Sequence, residues 1–246
     1  MHVHEPLDRI MFSNAWRFRS PLEKLVLGGG LLLHASLLPA LPWSAVIFLI
    51  AAAAALAGAR IPVGAWLRFL APQIAFVTVA VLPLVVTLHP LGWHQADAMR
   101  AAAIWLRGAS AAACLTLLSL TTPAPDLVFA ARRLHAPASL VELAFLTYRL
   151  ISSLYALVGR MRLGLDVRLH GNTVRLATVS LSAGNLLVRS IETAQRLERG
   201  VAVRGVDGVA MLPARSERST AFLVGALALQ AALSGAAWML RVVFPW

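Results

Sequence analysis

The stretch RSIETAQRLERGVAVRGVDG, residues 189–208, predicts a basic helix that ends at a glycine. Polar and apolar residues follow one another at helical spacing, in steps of three, four or seven, over about eight turns. The polar stripe comprises Arg175, Ser182, Arg189, Glu192, Arg196 and Arg199, and the apolar stripe comprises Val174, Ala177, Leu181, Val188, Ile191, Ala194, Leu197 and Val201. Glu192 precedes Arg196 by four residues, the favourable order for an ion pair along a helix. Gly200 and Gly205 are suited to loosening and ending it. A solvated arginine face is the plain alternative for such a run.

The composition of the chain indicates a membrane protein. Of its 246 residues, 59% are hydrophobic and only 13% are charged, whereas soluble domains carry about 25% charged residues. The formal net charge of +11 comes almost wholly from arginine, because Lys24 is the only lysine. In a membrane protein such an excess marks the cytoplasmic side. Nucleic-acid binding is not expected, because no set of aromatic residues for base stacking accompanies the arginines.

The residue inventory excludes two classes of site. A phosphate-binding loop needs Gly-Lys-Ser/Thr, and Lys24 lies between Glu23 and Leu25, so the chain is not expected to be an ATPase of that type. The single cysteine, Cys114, cannot form a disulfide within the chain. No metal or cofactor is expected to bind this chain, since His2 and His4 are a pair without a further ligand nearby.

Apolar runs predict an all-α integral membrane protein with about five transmembrane helices. The predicted spans are residues 25–38, 43–59, 69–88, 101–120 and 220–240. Glycines 28–30 and the alanine-rich second run predict close helix packing, as do the Ala221/Gly225 and Ala231/Gly235 pairs of the last span. Arg107 is expected to extend its guanidinium to the membrane interface, and a role in a transport path is the alternative.

A helical domain rich in arginine is predicted between the fourth and fifth spans. The sequence TTPAPD, residues 121–126, ends one helix and begins another. Residues 140–158 are apolar enough to resemble a span, but they contain Glu142 and Arg149. Each would cost about 2.5–3.5 kcal/mol near a helix centre, so we expect a cytoplasmic or interfacial helix there.

These patterns divide the chain into four parts. We expect a cytoplasmic N-terminal segment (residues 1–24), four spans (25–120), a cytoplasmic domain (121–219), and a last span with the C-terminus (220–246). Residues 1–24 lack the apolar core of a cleaved signal peptide. With the amino end inside, most arginines fall on the cytoplasmic side of a bacterial inner membrane, and Arg100, Arg107 and Arg241 are the exceptions.

The chain resembles the transmembrane T component of energy-coupling factor transporters, particularly the cobalt-transport type called CbiQ. The resemblance rests on TYRLISSLYALVGRMRLGLDVRLHG (residues 147–171) and on residues 189–208, with support from SPLEK, from RRLHAP and from the order of the spans. It covers most of the chain. It implies a non-catalytic subunit of an ATP-driven importer, whose partners are two ATPase subunits carrying ATP and Mg²⁺, a substrate-binding membrane subunit and membrane lipid. A small accessory membrane subunit is left open.

The resemblance also implies two docking motifs close to Ala-Arg-Gly, one at the tip of each of two coupling helices. Each tip is expected to enter a groove of one ATPase, where its arginine pairs with acidic groups. The second motif is Val203-Arg204-Gly205, with valine in place of the usual alanine. The first is less regular, because Leu169 and His170 separate Arg168 from Gly171. Arg199 lies beside the second motif and is included in the docking set.

Two alternatives stay open at this point. Cobalt is the expected cargo, but nickel or a vitamin such as biotin would change little else in the pattern. An integral membrane enzyme using His89, His94 and Asp97 is the alternative from another class. Its support is limited to three polar residues in one connection, without a recognisable catalytic motif.

Overall fold

A computed structural model describes residues 14–39, 41–85, 95–169, 176–203 and 219–243. These residues form eight α-helices, one of which continues into a turn of π-helix. In chain order they are α1 Pro21–Leu37, α2 Trp43–Ala53 with the π-helical turn Ala54–Gly58, α3 Val63–Val85, α4 Gln95–Thr121, α5 Ala124–Arg133, α6 Ala138–Leu169, α7 Leu176–Val203 and α8 Thr220–Val243. The predicted all-α membrane fold is confirmed.

Four described helices are long and apolar enough to cross a membrane: Val63–Leu84, Met99–Thr121, Ala138–Leu165 and Thr220–Met239. Three of them overlap the predicted third, fourth and last spans. The predicted first and second spans form helices, but α1 has 17 residues and the apolar helix at Trp43–Gly58 is also shorter than 18. Conversely, Ala138–Leu165 qualifies despite Glu142 and Arg149, because a long apolar stretch outweighs two charges in mean hydropathy. Its predicted place outside the membrane stays a prediction.

The first compact unit comprises residues 1–127 and 215–246. Within it α1 packs on α4 and α8, and α4 packs on α2 and α3. Its core includes Leu31, Ile47, Ala113, Cys114 and Leu117, all essentially inaccessible to water. Two small, fully buried residues, Ala51 and Ala55, also lie in this core. Small side chains allow helices in a membrane protein to approach closely, and van der Waals packing then holds them together.

Glycines test the predicted helix contacts directly. A Cβ added to Gly28 would lie 3.3 Å from Leu118 Cδ1, and one added to Gly30 would overlap the amide of Gln230. These two glycines are therefore contact positions, as predicted. A Cβ at Gly225 or Gly235 would have no neighbour within 4 Å in the described residues. The expected small-residue contacts at Gly225 and Gly235 are therefore not made within this part of the chain.

The second compact unit comprises residues 128–214, and its main elements are α6 and α7, which pack on each other. The rings of Phe129 and Phe145 join the end of α5 to α6, with centroids 6.2 Å apart. The predicted basic amphipathic helix is confirmed as α7. The predicted helix boundary at residues 121–126 is confirmed as well, since α4 ends at Thr121 and α5 begins at Ala124.

Candidate functional site

The first predicted arginine motif begins with Arg168 near the carboxyl end of α6, and the second begins with Val203, the last described residue of α7. Arg168 is the second-last residue of α6, and the structure describes its backbone. Arg199 lies on the last turns of α7 and is exposed to water. Arg204 directly follows Val203, the last residue of α7, but Arg204, Gly205 and Gly171 lie outside the described residues. The structure therefore describes the helices that lead to the two motifs, and the docking geometry of the motifs stays a prediction.

Residues of α6 and α7 line a common groove of about 540 Å³. Leu157 lines it from α6, and the lining residues of α7 are Asn185, Val188, Arg189, Glu192, Thr193 and Arg196. At a rise of about 1.5 Å per residue, Arg168 lies about 16 Å along α6 from Leu157, and Val203 about 10 Å along α7 from Arg196. Arg168 and the last described residue of α7 thus lie well away, along their helices, from the residues that line the groove.

The polar stripe of α7 is a water-exposed charged face. Arg189, Glu192, Arg196 and Arg199 are all exposed. The predicted ion pair is present at its outer limit, with Arg196 Nη2 4.0 Å from Glu192 Oε2 and the side chains 81% and 55% exposed. Because water screens such a pair strongly, it adds little to stability. The guanidinium groups are therefore left accessible to a partner.

The apolar stripe of α7 is also largely uncovered. Val188 and Ile191 of this stripe are each more than half exposed, and so is Leu187 next to Val188 in the sequence. Apolar side chains in an amphipathic helix are normally covered by another surface. Within the described part of this chain, neither stripe of α7 is fully covered.

A buried polar cluster in the first compact unit was missed by the sequence analysis, which had assigned residues 1–24 to a polar N-terminal segment. In the structure α1 already begins at Pro21, and Glu23 and Lys24 are buried in its first turn. Lys24 Nζ donates a hydrogen bond to the carbonyl oxygen of Thr121, at 2.9 Å. Glu23 Oε1 accepts one from the backbone N–H of Ser219, also at 2.9 Å.

A second side-chain hydrogen bond also ends at the carboxyl end of α4. Asn14 Nδ2 donates to the carbonyl oxygen of Leu120, at 3.0 Å. Like the Lys24 bond, this one ends on the last turn of α4, where main-chain carbonyls have no partner within the helix. One signal in the sequence could have pointed to the cluster: the only lysine of the chain, next to a carboxylate, stands directly before an apolar run.

Burial governs the ionisation of this cluster. It lowers the pKa of Lys24 below its usual 10.5, while the charges of Asp126 and Glu23 oppose the shift and Arg19 adds to it. Burial likewise raises the pKa of Asp126 above 3.8, and the positive charge of Lys24 opposes that shift. In both groups the loss of hydration outweighs the mutual attraction. The cluster is therefore a water-poor site in which charges are held by a few directed contacts.

The alternative catalytic residues gain no support from the described part of the chain. His89 and His94 lie outside the described residues, and of Asp97 only the backbone is described, in α4. Among residues whose side chains are described, no group of three His, Cys, Asp or Glu side chains could hold a metal ion. Arg107 is partly buried, and its Nη2 donates to the carbonyl oxygen of Leu38 at the end of α1.

Comparison with known proteins places this architecture in a family. The family model described as cobalt transport protein, CbiQ, matches residues 13–213. The chain is 33% identical over 239 residues to the cobalt transport protein CbiQ of Rhodobacter capsulatus, covering 95% of this chain and 98% of the relative. It is 24% identical over 222 residues to an uncharacterized protein of Methanocaldococcus jannaschii, covering 83% and 82%. The chain therefore belongs to the CbiQ family of cobalt transport proteins.

Proposed function

We propose that this chain is the transmembrane T component of an energy-coupling factor importer for cobalt. In this role it couples ATP hydrolysis by two separate ATPase subunits to movement of a substrate-binding membrane subunit. Membership of the cobalt transport family supports the cargo and the membrane setting. The single observation that supports the coupling role is that Arg168 lies at the carboxyl end of α6, while α7 carries exposed arginines on the turns that lead to Arg204 in the sequence.

Arginine at a helix end suits a contact that transmits force. The guanidinium group is planar, stays charged at any physiological pH and can bind a carboxylate through two parallel hydrogen bonds. A glycine directly after it, as in Arg204-Gly205, allows the chain to turn away and leaves the helix end free to enter a groove. Acidic grooves on the two ATPase subunits are the partners that this chemistry fits.

The exposed apolar stripe of α7 supports contact with a second partner, the substrate-binding membrane subunit. A side chain such as Ile191, about half exposed in this chain, would gain about 25 cal/mol for each Å² of apolar surface that a partner covers. We assign this stripe to the substrate-binding membrane subunit. The same helix would then present arginine to one side and apolar surface to another, and could transfer movement between partners of different chemistry.

The proposal requires residues 128–214 to face the cytoplasm, where ATP is available. The positive-inside rule supports this orientation, because arginines are dense in this unit. Single cysteines at Gln195 and at the N-terminus, tested for modification by a membrane-impermeant maleimide in intact cells, would check it. Protection in intact cells and labelling after permeabilisation are expected. Labelling of Gln195→Cys in intact cells would contradict the proposed function.

The docking role is tested by substituting the motif arginines. Arg204→Ala, and less severely Arg168→Ala, should leave the protein in the membrane but weaken binding of the ATPase subunits and abolish cobalt uptake. Truncating one partner of a buried charge pair costs about 2–5 kcal/mol. Arg196→Ala is the matched control, since it removes an exposed arginine of the same helix away from its end.

The measurements are co-purification of the ATPase subunits and uptake of labelled cobalt in cells, with nickel and biotin as competing cargoes. Arg196→Ala should retain both activities. Normal co-purification and uptake in the Arg168→Ala/Arg204→Ala double variant would refute the docking role. Biotin uptake without cobalt uptake would refute the cargo and leave the docking role in place.

A further inference from the structure

Residues 128–214 are inserted between two segments of the first unit, and neighbouring residues of α1 bind Thr121 and Ser219, which flank the insertion in the sequence. The outgoing connection leaves the end of α4 at Thr121, where Lys24 Nζ binds the carbonyl oxygen. The returning connection reaches α8 at Ser219, where Glu23 Oε1 binds the backbone N–H. We refer to Glu23 and Lys24 as the junction pair. Its two bonds connect α1 to segments 97 and 196 residues away in sequence.

The charges of the junction pair match the helix ends that they contact. Thr121 is the last residue of α4, where unpaired carbonyls carry partial negative charge, and an ammonium group binds there. Ser219 directly precedes the first residue of α8, where unpaired N–H groups carry partial positive charge, and a carboxylate binds there. The Ser219 hydroxyl also accepts a hydrogen bond from the N–H of Phe222, at 3.4 Å. Each residue of the pair is thus suited to one connection and unsuited to the other.

Because both side chains are buried, the junction pair loses hydration and is a poor way to gain stability alone. Glu23 and Lys24 are 4% and 2% exposed, and Glu23 Oε2 has no hydrogen-bond partner among the described residues. Replacing a buried ion pair by apolar residues of similar size is often neutral or stabilising. What a charged pair provides and an apolar pair does not is direction, because each hydrogen bond fixes one backbone atom relative to α1.

We propose that Glu23 and Lys24 are positioning residues that make the movement of the inserted unit a movement of α1. In the sequence, residues 128–214 are flanked by Thr121 on one side and Ser219 on the other, and the junction pair ties these two residues to one turn of α1. Movement of the inserted unit that reaches Thr121 and Ser219 is therefore passed to α1. This inference rests on the proposed transport function, in which movement driven by the ATPase subunits has to reach the membrane helices.

The main variant is Glu23→Met/Lys24→Met, which removes both charges together and so leaves neither unpaired. Glu23→Gln is the conservative variant, because its amide oxygen still accepts a hydrogen bond from Ser219. Thr116→Val is the matched control. It deletes another buried hydrogen bond of α4, that with Gln73 Nε2 at 3.1 Å, away from the junction.

The readout is cobalt transported per ATP hydrolysed by the transporter reconstituted in vesicles. We expect the double variant to assemble and hydrolyse ATP but to transport about tenfold less per ATP, within the usual range of coupling between sites. Glu23→Gln should recover most of the wild-type ratio, and Thr116→Val should leave it unchanged. A purely structural role would lower transport and hydrolysis in proportion, so an unchanged ratio in the double variant would refute the proposal.

A second measurement needs no partner subunit. Spin labels at Val63→Cys in the first unit and Gln195→Cys in the second, both exposed positions, report the distance between the units in the chain alone in nanodiscs. We expect a broader distance distribution in the double variant than in the wild type or in Thr116→Val. Identical distributions would refute the role of the junction pair. Broadening together with absence of ATP-driven uptake by the wild-type transporter would refute the proposed function and retain the positioning role.

Discussion

Lys24 in the first unit and Arg196 in the second hold their charges in opposite ways. In the first unit Lys24 is 2% exposed and holds a main-chain carbonyl. In the second unit the Arg196 side chain is 81% exposed and has one ion-pair partner at 4.0 Å. A buried charge is held by specific contacts and fixes the position of the backbone, whereas an exposed one is screened by water and stays available. The difference suggests that the first unit uses charge for internal geometry and the second for external contacts.

Glycines of the two units show a related contrast, except that Gly225 and Gly235 of the first unit also have nothing within 4 Å of an added Cβ. In the first unit a Cβ at Gly108 would lie 2.7 Å from Val77 Cγ1, so α3 and α4 approach closely there. In the second unit Gly159, Gly164 and Gly184 have nothing within 4 Å of an added Cβ. The first unit is packed to its limit at several positions, and the helices of the second retain free surface. Partner subunits would use that surface in the proposed transporter.

Reversing a charge should give the largest difference in stability loss between a position in the first unit and one in the second. Lys24→Glu would place a third carboxylate close to Glu23 and Asp126, with Arg19 as the nearby cation, and we expect a loss of about 3–5 kcal/mol in stability. Arg196→Glu changes an exposed position and should stay within about 0.5 kcal/mol. Thermal unfolding midpoints in detergent measure both effects. Equal midpoints for the two variants would mean that Lys24 is not buried as described.

Adding one methyl group should give effects of opposite sign in the two units. Gly108→Ala inserts a Cβ against the stiff side chain of Val77, and we expect it to destabilise the protein by about 1–3 kcal/mol. Gly184→Ala adds the same group to a helix with open space and should stabilise it by about 0.4–1 kcal/mol, because the unfolded chain loses conformational freedom. The same unfolding measurement compares them. A neutral Gly108→Ala would contradict the close contact between α3 and α4.

The sequence predicted what depends on local spacing. The amphipathic pattern around residues 189–208 predicts α7, since three- and four-residue steps are a property of the helix itself. The position of Arg199 on the last described turns of this helix follows for the same reason, and the helix end near Gly205 stays a prediction. Packing at Gly28 could also be predicted, because small residues in an apolar helix usually mark contacts.

What the sequence could not predict depends on distant segments. The sequence assigned Glu23 and Lys24 to a polar N-terminal segment, because their partners, Ser219 and Thr121, lie 196 and 97 residues away. Nothing in the composition of the first 24 residues indicates which carbonyl or N–H will be brought to them. The membrane position of residues 138–165 was ambiguous for a different reason. Two charges, Glu142 and Arg149, and a long apolar stretch favour opposite answers.

The smallest expected effect concerns the one exposed ion pair that both the sequence and the structure identify. Glu192→Gln removes the negative partner of Arg196. Because both side chains are more than half exposed, stability should change by no more than about 0.5 kcal/mol, and the change should vanish at high salt.

Under the proposed function, however, the variant makes the arginine face of α7 more positive. Association with an acidic ATPase groove should then become slightly faster at low salt, because long-range attraction acts mainly on the association rate. Association kinetics of the purified chain with the ATPase subunits, measured at two salt concentrations, would detect this change. A large loss of stability would instead mean that Glu192 has a structural role like that of Glu23, and the contrast between the two units would not hold at this position.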